Sequence, residues 1–434
     1  MLNFLRKIFP DRSPLRLFYH KISAILAAIF FRFPAEKLKI IAITGTSGKS
    51  TTVELAHFLL QNSGKKCGAI STIQIRVGEK ILPNNSLRTT LSPWQTQKFL
   101  RQMVRENCEF CVLEISSHAL DQSRIFGVNV DTAVLTNIFE NEHLDYHQNF
   151  AEYLKTKLSL FKKMNAAMRK PGVKKTIILP RDDEQFEIFD ECAADQKWTF
   201  SRQKNSDLRA ENEKFFSKKI EFDLQIPNQK VKISAPLVGP HNLENLLAAI
   251  SIAVQHKISL FKIAKILPDF PGAPGRMETI NENQNFSVIV DFSYKPSALS
   301  ATLQILKKIA KNKIFVIFGG AENRTRQNLE MCGEILDKFA DEIILTTDDP
   351  GFDNPRKIAE ILRKKIGRRE TENFFEIEDR FEAIRFAIFT AAPGDIILIA
   401  GRGHEKFQKI KNFRIPFDDR EVARKILRSA ENFL

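Results

Sequence analysis

A glycine-rich segment that can hold phosphate groups follows an apolar run ending at Thr44. It comprises Gly45, Thr46, Ser47, Gly48, Lys49 and Ser50. Glycines let backbone N–H groups close around a phosphate, and the N-terminus of a following helix adds its positive end. Lys49 can then reach the terminal phosphates of a nucleotide, and Ser50 can bind Mg²⁺. The G-x-x-G-K-S spacing is shorter than the usual phosphate-loop spacing, and its structural alternative is a turn with a surface lysine.

A carboxylate and two histidines follow two other apolar runs. Glu114 lies at the end of the run 110–115, and ligands of open α/β sheets bind at the carboxyl ends of the strands. Glu114 is therefore a candidate Mg²⁺ ligand that faces the phosphate loop, with a helix-capping carboxylate as the alternative. Asn137, His143 and His147 follow the run 132–136 and could contact a hard cation or phosphate. An ordinary polar loop is the alternative for that segment.

The elements that must position these residues follow from the alternation of apolar runs with amphipathic stretches, which is typical of an α/β fold. In the first half, strands are predicted at 39–44, 110–115 and 132–136, helices at 49–61 and 242–255, and antiparallel hairpins at 220–226 and 230–235. In the second half, strands are predicted at 287–292, 314–319, 342–346 and 395–400, and helices at 297–310, 355–365 and 380–391. A cluster of prolines and glycines at 268–275 predicts a linker. We expect a short N-terminal segment (1–38), a nucleotide-binding domain (39–277) and a second α/β domain (278–434).

Composition and charge narrow the class of protein. The 434 residues include 66 Lys and Arg against 52 Asp and Glu, which gives a net charge of +14 and favours an anionic partner.

Five cysteines are too few and too unevenly spaced for a disulfide framework, so we expect a reducing compartment, the cytoplasm, with Cys108 and Cys111 as core thiols. The apolar run 22–31 is about half of what a bilayer span needs. We expect residues 1–33 to form a helix docked on the protein, with a membrane-surface helix as the alternative.

The ordered set of motifs resembles the Mur ligase family, ATP-dependent enzymes that form amide bonds in peptidoglycan precursor synthesis. The resemblance covers roughly residues 37–427. It is strongest to the ligases that add the third residue of the peptide. The segments that carry it are Gly45–Thr51, Glu114–Leu120, Asn137, His143–His147, Gly239 with Asn242 and Asn245, Gly275–Glu278 and Gly401–Glu405.

The resemblance implies a central P-loop-type ATPase domain with a parallel sheet, a C-terminal Rossmann-like domain and an acyl-phosphate intermediate. It implies ATP and Mg²⁺, with Lys157 carbamylated so that it bridges a second Mg²⁺ ion. The implied metal and catalytic set is Ser50, Glu114, His143 and Lys157, with Lys49 on the phosphates. Thr51, Asn137, Asn245, Arg276 and Asp291 match further positions on the ATP side. Thr89, Thr90, Ser116 and Arg124 match positions that contact the peptide, and Asp349, Gly401 and Glu405 match positions near the incoming amino acid.

The chain also departs from the family pattern. Only 38 residues precede the strand before the phosphate loop, where the family has a separate uridine-holding domain. Gly351 stands where an arginine reads the distal carboxylate of a diamino acid, so bidentate recognition cannot form there. Tyr294 stands at a usual histidine position, and Arg402 replaces a lysine.

The sequence thus predicts an ADP-forming ligase that joins a free amino acid to a nucleotide-linked muramoyl-peptide. We expect a monomer without a nucleic-acid partner and without stable membrane insertion, although residues 1–33 could contact a membrane surface. Two other functions stay open. One is a non-catalytic ATP-binding or scaffolding protein of the same fold, which the altered C-terminal loops suggest. The other is a nucleic-acid-stimulated ATPase, which the net charge of +14 suggests, although no nucleic-acid-binding motif accompanies it.

Overall fold

The computed structural model describes residues 12–86, 88–140, 146–322, 324–369, 371 and 373–430. The chain divides into two compact units. The first contains Met1–Glu213, Phe222–Ser234 and His241–Phe270, and the second contains Lys214–Glu221, Ala235–Pro240 and Pro271–Leu434. Each unit is built on its own sheet.

The framework of the first unit is an eleven-stranded sheet with the order β11-β10-β9-β8-β7-β6-β1-β5-β2-β3-β4. Its strands are β1 Lys39–Thr44, β2 Cys67–Ile70, β3 Gln74–Val77, β4 Lys80–Pro83, β5 Phe110–Glu114, β6 Thr132–Leu135, β7 Thr176–Pro180, β8 Gln196–Ser201, β9 Leu208–Phe215, β10 Ile220–Ile226 and β11 Gln229–Ala235. The central strand β1 is parallel to both neighbours, with Ile43 paired to Glu114 and Thr44 paired to Leu135. The carboxyl ends of β1, β5 and β6 therefore meet at one edge of the sheet.

Several helices of this unit pack against the sheet, whereas the N-terminal helix Pro14–Phe30 packs against the helix Pro93–Arg105. They are Pro14–Phe30, Lys49–Asn62, Pro93–Arg105, Ser117–Asp121, Phe150–Ala166, Phe186–Asp190, Pro240–Gln255 and Leu260–Ile266, with short 3-10 turns at Pro34–Lys37 and Leu267–Asp269. Side-chain caps fix several starts, because Asn149 accepts from the Glu152 N–H and Ser92 forms a capping box with Gln95.

The second unit contains a six-stranded sheet with the order β12-β13-β17-β14-β15-β16 and a two-stranded sheet of β18 and β19. Its strands are β12 Glu278–Ile280, β13 Ser287–Asp291, β14 Ile314–Phe318, β15 Glu342–Leu345, β16 Phe374–Glu376, β17 Ile396–Ala400, β18 Phe407–Ile410 and β19 Phe413–Pro416. Its helices are Pro296–Ile309, Arg326–Phe339, Pro355–Arg363, Arg380–Thr390 and Asp419–Ala430. Only β12 is antiparallel in the larger sheet, and apolar cores lie on both of that sheet's faces.

The predicted α/β class is confirmed, and most predicted strands agree with the structure to within one residue. The two strands predicted as antiparallel hairpins, β10 and β11, are adjacent as expected, but they continue the main sheet at its edge beyond β9 instead of only decorating the domain. The helix Arg326–Phe339 was not predicted. Within the predicted segment 1–33, the helix Pro14–Phe30 is docked on its own protein through buried Ala24, Ala27 and Ala28, while residues 1–11 lie outside the described residues.

Cys108 and Cys111 are buried free thiols, as predicted. In the part of the chain that the structure describes, no helix has both the length and the apolar character needed to cross a membrane.

Candidate active site

Two glycines shape the loop between β1 and the helix Lys49–Asn62. Gly45 has φ of 151° and Gly48 has φ of 79°, a region that favours glycine. A Cβ at Gly45 would lie 1.9 Å from the Oγ1 of Thr136, and a Cβ at Gly48 would lie 1.9 Å from the Oδ1 of Asn245. Both positions therefore require glycine, and Asn245 packs directly against the loop.

Asn137 pins the same loop to the end of β6. Its backbone carbonyl accepts from the Thr46 N–H at 2.9 Å, and its side-chain Oδ1 accepts from the Ser47 N–H at 2.9 Å. Lys49 curls back over the loop, where its Nζ donates to the carbonyl oxygens of Gly45 at 2.9 Å and Thr46 at 2.8 Å. The predicted phosphate-contacting residues are thus held in one turn at a helix N-terminus.

Ser50 and Glu114 lie together beneath this turn. The Ser50 hydroxyl donates to both carboxylate oxygens of Glu114 at 3.0 Å, and both side chains are buried. Thr72 donates to the same carboxylate through its backbone N–H at 2.7 Å and its hydroxyl at 2.9 Å. A hydroxyl beside an oriented carboxylate is an oxygen donor set that suits Mg²⁺ when phosphate oxygens complete the shell. Within the described residues no three His, Cys, Asp or Glu side chains group as a metal site.

Lys157 reaches the loop from the helix Phe150–Ala166. Its side chain is 1% exposed, and its Nζ donates to the Gly45 carbonyl at 2.7 Å and lies 3.3 Å from the Thr44 hydroxyl. Its Nζ also lies 4.9 Å from the ring centre of Tyr153, whose hydroxyl is 2.8 Å from the Thr46 Oγ1. Burial, together with the nearby charge of Lys49, lowers the pKa of Lys157 well below its usual value. The amine therefore favours its neutral form.

The predicted ligand His143 lies outside the described residues. The structure does describe the flanking aromatic cluster, in which the ring centres of His118 and Tyr146 are 3.8 Å apart. His147 is fully buried in this cluster, and burial lowers its pKa. Its two ring nitrogens have no hydrogen-bond partner among the residues that the structure describes.

Three of the four predicted peptide-contacting residues form one group. The Thr90 hydroxyl donates to the Glu114 carbonyl at 3.1 Å and accepts from the Ser116 N–H at 2.9 Å. The guanidinium of Arg124 donates to the Thr90 carbonyl at 3.2 Å. Thr89 precedes this group and is partly buried. The first unit thus places candidate peptide-binding residues next to the strand that carries Glu114.

The second unit contains a cavity of about 190 Å³ at the carboxyl ends of its parallel strands. It is lined by Phe292, Tyr294, Ala321, Glu322, Arg324, Asp348, Asp349, Gly401, Glu405 and Lys409. The predicted residues Asp349, Gly401 and Glu405 therefore come together. Asp291 lies behind them, where its carbonyl accepts from the Gly401 N–H at 3.1 Å, and Arg276 stacks on Phe292 at 4.6 Å.

Acidic groups dominate the floor of this cavity. Buried Arg402 bonds to the Asp349 carboxylate and lies 3.6 Å from that of Asp348. Burial raises the pKa of Asp348 to about 6. Burial, followed by repulsion from Asp349, raises the pKa of Glu405 to about 8. The lining thus has four acidic side chains, Glu322, Asp348, Asp349 and Glu405, against Arg324 and Lys409, so the cavity offers carboxylates to an ammonium group.

Gly351 occupies a place with little room for a side chain. Its φ is 53°, and a Cβ there would lie 2.2 Å from the carboxylate of Glu322, which is ion-paired with Lys409. Arg356 is not among the cavity-lining residues, because its exposed side chain lies 3.4 Å from Glu378 on the surface.

Sequence reasoning did not identify Thr72, Glu322 or Lys409 as site residues. Thr72 lies two residues after β2, which is parallel to β5, so its place after a parallel strand was a signal that could have identified it, whereas Lys409 lies on β18, which is antiparallel to β19. Glu322 lies only four residues after β14, which is a signal that could have identified it.

Comparison with known proteins agrees with this geometry. Residues 43–253 match the Mur ligase middle domain, and residues 275–403 match the family description "Mur ligase, glutamate ligase domain". The chain is 36% identical over 403 residues to a UDP-N-acetylmuramoyl-L-alanyl-D-glutamate--2,6-diaminopimelate ligase of Geobacillus kaustophilus, covering 92% of this chain and 81% of that protein. It is 33% identical to the ligase of the same name from Clostridium botulinum, and the match covers 94% of this chain and 82% of that protein.

Solved structures give the same result. One described as a UDP-N-acetylmuramoyl-L-alanyl-D-glutamate--2,6-diaminopimelate ligase superposes with a TM-score of 0.67 at 30% identity, covering 91% of this chain and 79% of that one. A folylpolyglutamate synthase of Mycobacterium tuberculosis shares the fold, with a TM-score of 0.68 at 15% identity. The match covers 88% of this chain and 92% of that one. The chain belongs to the Mur ligase family.

Proposed function

We propose that the protein is an ATP-dependent, ADP-forming ligase that adds an amino acid to a nucleotide-linked muramoyl-peptide in peptidoglycan precursor synthesis. The relatives named above support the choice of acceptor. The observation that carries the proposal is the buried Ser50–Glu114 pair, with 3.0 Å between hydroxyl and carboxylate, directly beneath the phosphate loop. In our proposal the reaction takes place in the cytoplasm, which the five free thiols support.

The first step joins the acceptor to phosphate. A carboxylate oxygen of the peptide attacks the γ-phosphorus of ATP, the bond to the β-γ bridging oxygen breaks, and ADP leaves with that electron pair. Both reactants are anions, so positive charge must offset their repulsion. Lys49 supplies part of it. Bound Mg²⁺, held by Ser50 and Glu114, would neutralise phosphate charge. His143 is proposed as a further ligand from the family resemblance.

Lys157 is proposed to act as a carbamate. A neutral amine attacks CO₂, a C–N bond forms and one proton is released, which converts the side chain into an anion. The lowered pKa and the buried position of Lys157 favour the neutral amine that this reaction needs. A carbamate there would keep the nitrogen and add a carboxylate with two oxygen atoms at the end of the buried side chain, which would suit a second Mg²⁺ ion.

The second step forms the amide. The amino nitrogen attacks the carbonyl carbon of the acyl phosphate, inorganic phosphate leaves, and the nitrogen loses a proton. Asp349 and Glu405 are proposed to hold the amino acid in the acidic cavity of the second unit, since their carboxylates can accept from an ammonium group. Arg276 and Asp291 are proposed ATP-side residues of that unit.

The test measures ADP release by the purified protein with muramoyl-peptide acceptors and a panel of amino acids. We expect ADP release only when acceptor and amino acid are both present, with an amide product of matching mass. ATP binding without turnover under every combination would instead support the non-catalytic alternative. Turnover that depends on added nucleic acid would support the ATPase alternative. Parallel assays with acceptors that carry or lack the uridine nucleotide determine whether that group is required.

A further inference from the structure

The N-terminal helix Pro14–Phe30 exposes a continuous apolar face. Its exposed large side chains recur every three to four residues, which places them along one side of the helix. They are Leu15, Phe18, Tyr19, Ile22, Leu26, Ile29 and Phe30, and the last of these is 69% exposed. The opposite side holds the buried alanines, which dock the helix onto the first unit. Seven large apolar residues on one exposed face are more than a soluble surface normally carries.

The neighbouring helix Pro93–Arg105 continues this surface with aromatic and basic groups. Trp94, which is 42% exposed, has its ring centre 5.5 Å from that of Phe30 and donates from its Nε1 to the Ser23 hydroxyl at 3.2 Å. Lys98, Arg101 and Arg105 follow Trp94 at helical spacing and so share its side of the helix. These three residues, with Phe30, Phe31, Arg32 and Gln102, line a cavity of about 460 Å³.

The charge of this surface has one sign. Neither helix contains Asp or Glu, and among the described residues none of Arg32, Lys98, Arg101 and Arg105 pairs with a carboxylate. Glu106, which follows the second helix, is already paired with Lys80 at 3.1 Å. An apolar face beside unpaired cations has the chemistry that binds the interface of an anionic lipid bilayer.

We propose that these two helices form a docking surface for anionic membranes, on which Pro14–Phe30 lies in the plane of the interface. The apolar side chains would enter the acyl boundary, the tryptophan would lie at the headgroup level, and the basic cluster would contact lipid phosphates. A second copy of the chain fits this surface less well, because a two-fold contact of the same patch would bring two basic clusters together. The proposal is independent of the ligase chemistry.

The test is flotation of the full-length protein with lipid vesicles. One set contains equal parts phosphatidylcholine and phosphatidylglycerol, and the other contains phosphatidylcholine alone. We expect binding to the anionic vesicles that weakens as salt is raised, with much weaker binding to the neutral ones. The double variant Lys98→Gln/Arg101→Gln should bind about thirtyfold more weakly, because each basic residue near such a surface contributes about 1 kcal/mol.

A second pair of variants separates apolar insertion from charge. Leu26→Glu/Ile29→Glu should abolish vesicle binding, whereas Phe261→Glu and Lys265→Gln, exposed positions on another helix, should leave it unchanged. ADP release and thermal melting are measured in parallel, and we expect both to match the wild type in every variant. Absence of vesicle binding by the wild type at low salt overturns the proposal. The proposal is also overturned if sedimentation shows that the wild type is a dimer and the Leu26→Glu/Ile29→Glu variant is a monomer, while vesicles bind neither protein.

Discussion

Lys49 and Lys157 donate to the same atom, the carbonyl oxygen of Gly45, at 2.9 and 2.7 Å. Two ammonium groups on one neutral carbonyl repel each other, and burial disfavours the charge of Lys157 further. The pKa of Lys157 is lowered as a result, with burial as the larger cause and Lys49 as the smaller. We therefore propose different roles for the two lysines: Lys49 as the positive charge on the phosphates, and Lys157 as the neutral amine that reacts with CO₂.

The first prediction concerns that charge. Lys49→Ala should lower ADP release by at least about a hundredfold, because removal of one group that stabilises transition-state charge typically costs that much. Lys49 is partly exposed at the start of its helix, so its removal should leave the fold intact. Enzyme assays and thermal melting measure the two effects, with Lys265→Ala as a surface control. A folded Lys49→Ala protein with wild-type turnover would contradict the phosphate-loop assignment.

The second prediction concerns the carbamate. Lys157→Ala should lose most ADP release, and bicarbonate should not restore it because no amine remains to react. Short-chain carboxylates such as acetate should restore part of the activity, since they can supply two oxygen atoms to the space that the side chain leaves. Activity at the wild-type level in Lys157→Ala, without added carboxylate, is the result that would exclude a role for this lysine.

The third prediction compares two buried lysines. Lys157 pairs with no carboxylate among the described residues, whereas Lys175 lies 3.1 Å from Asp131. Lys157→Met should therefore raise the melting temperature at neutral pH, because it removes an amine that is costly to bury. Lys175→Met should lower stability, because it removes one of the two buried cations, Lys170 and Lys175, that pair with Asp131. Melting curves of the two variants decide this, and a loss of stability in Lys157→Met would contradict it.

The Ser50–Glu114 pair shows what the sequence could predict. Ser50 comes shortly after the apolar run that forms β1, and Glu114 ends the run that forms β5. These two strands are adjacent and parallel, so their carboxyl ends lie together. Spacing and topology were thus enough to place a hydroxyl and a carboxylate at one edge. Thr72, which donates twice to the same carboxylate, lies in a turn whose position depends on the pairing of β2 with β5. No local pattern specifies that contact.

Burial of polar side chains was equally hard to predict. Lysine and arginine are exposed in most proteins, so nothing in the sequence indicates that Lys157 or Arg402 is buried. The helix Arg326–Phe339 was not predicted, because its many charged and polar residues leave only three buried side chains, those of Leu329, Cys332 and Leu336.

The fourth prediction concerns the proton on Glu405. Its pKa is raised from 4.5 to about 8, so the folded state keeps a proton that the unfolded state loses between those values. The stability that this protonated carboxyl contributes is fully present below the lower value and is lost as pH rises through the higher one. Glu405→Gln should remove that loss, so the variant should gain stability relative to the wild type as pH rises across this window. Melting curves across the window measure it, and a parallel decline in both proteins would contradict the assignment.

The same group should influence amino-acid binding. Above about pH 8, where Glu405 is ionised, Glu405→Gln should raise KM for the amino acid by about ten- to hundredfold, because a charged hydrogen bond contributes roughly 1.5–3 kcal/mol. KM for ATP should stay unchanged, which separates this effect from a general loss of structure. Equal rises in both constants would point to a purely structural role.

The last prediction concerns which amino acid is added. An arginine at Gly351 would read a distal carboxylate, but that position has no side chain, and the carboxylate of Glu322 lies where its Cβ would be. A diamino-dicarboxylic acid thus loses a charged pair worth roughly 1.5–3 kcal/mol, or about ten- to hundredfold in affinity, and meets a like charge. We expect lysine, ornithine or a smaller amino acid to be preferred over meso-diaminopimelate.

Competition assays with equimolar amino acids measure this preference. Glu322→Gln should reduce the preference for basic amino acids over meso-diaminopimelate, because it removes the negative charge of Glu322 and keeps the size of the side chain. Arg356→Ala is the matched control and should change nothing, because Arg356 is 79% exposed and pairs with Glu378 outside the cavity. A preference for diaminopimelate that disappears in Arg356→Ala would show instead that this arginine swings into the cavity and replaces the one that Gly351 lacks.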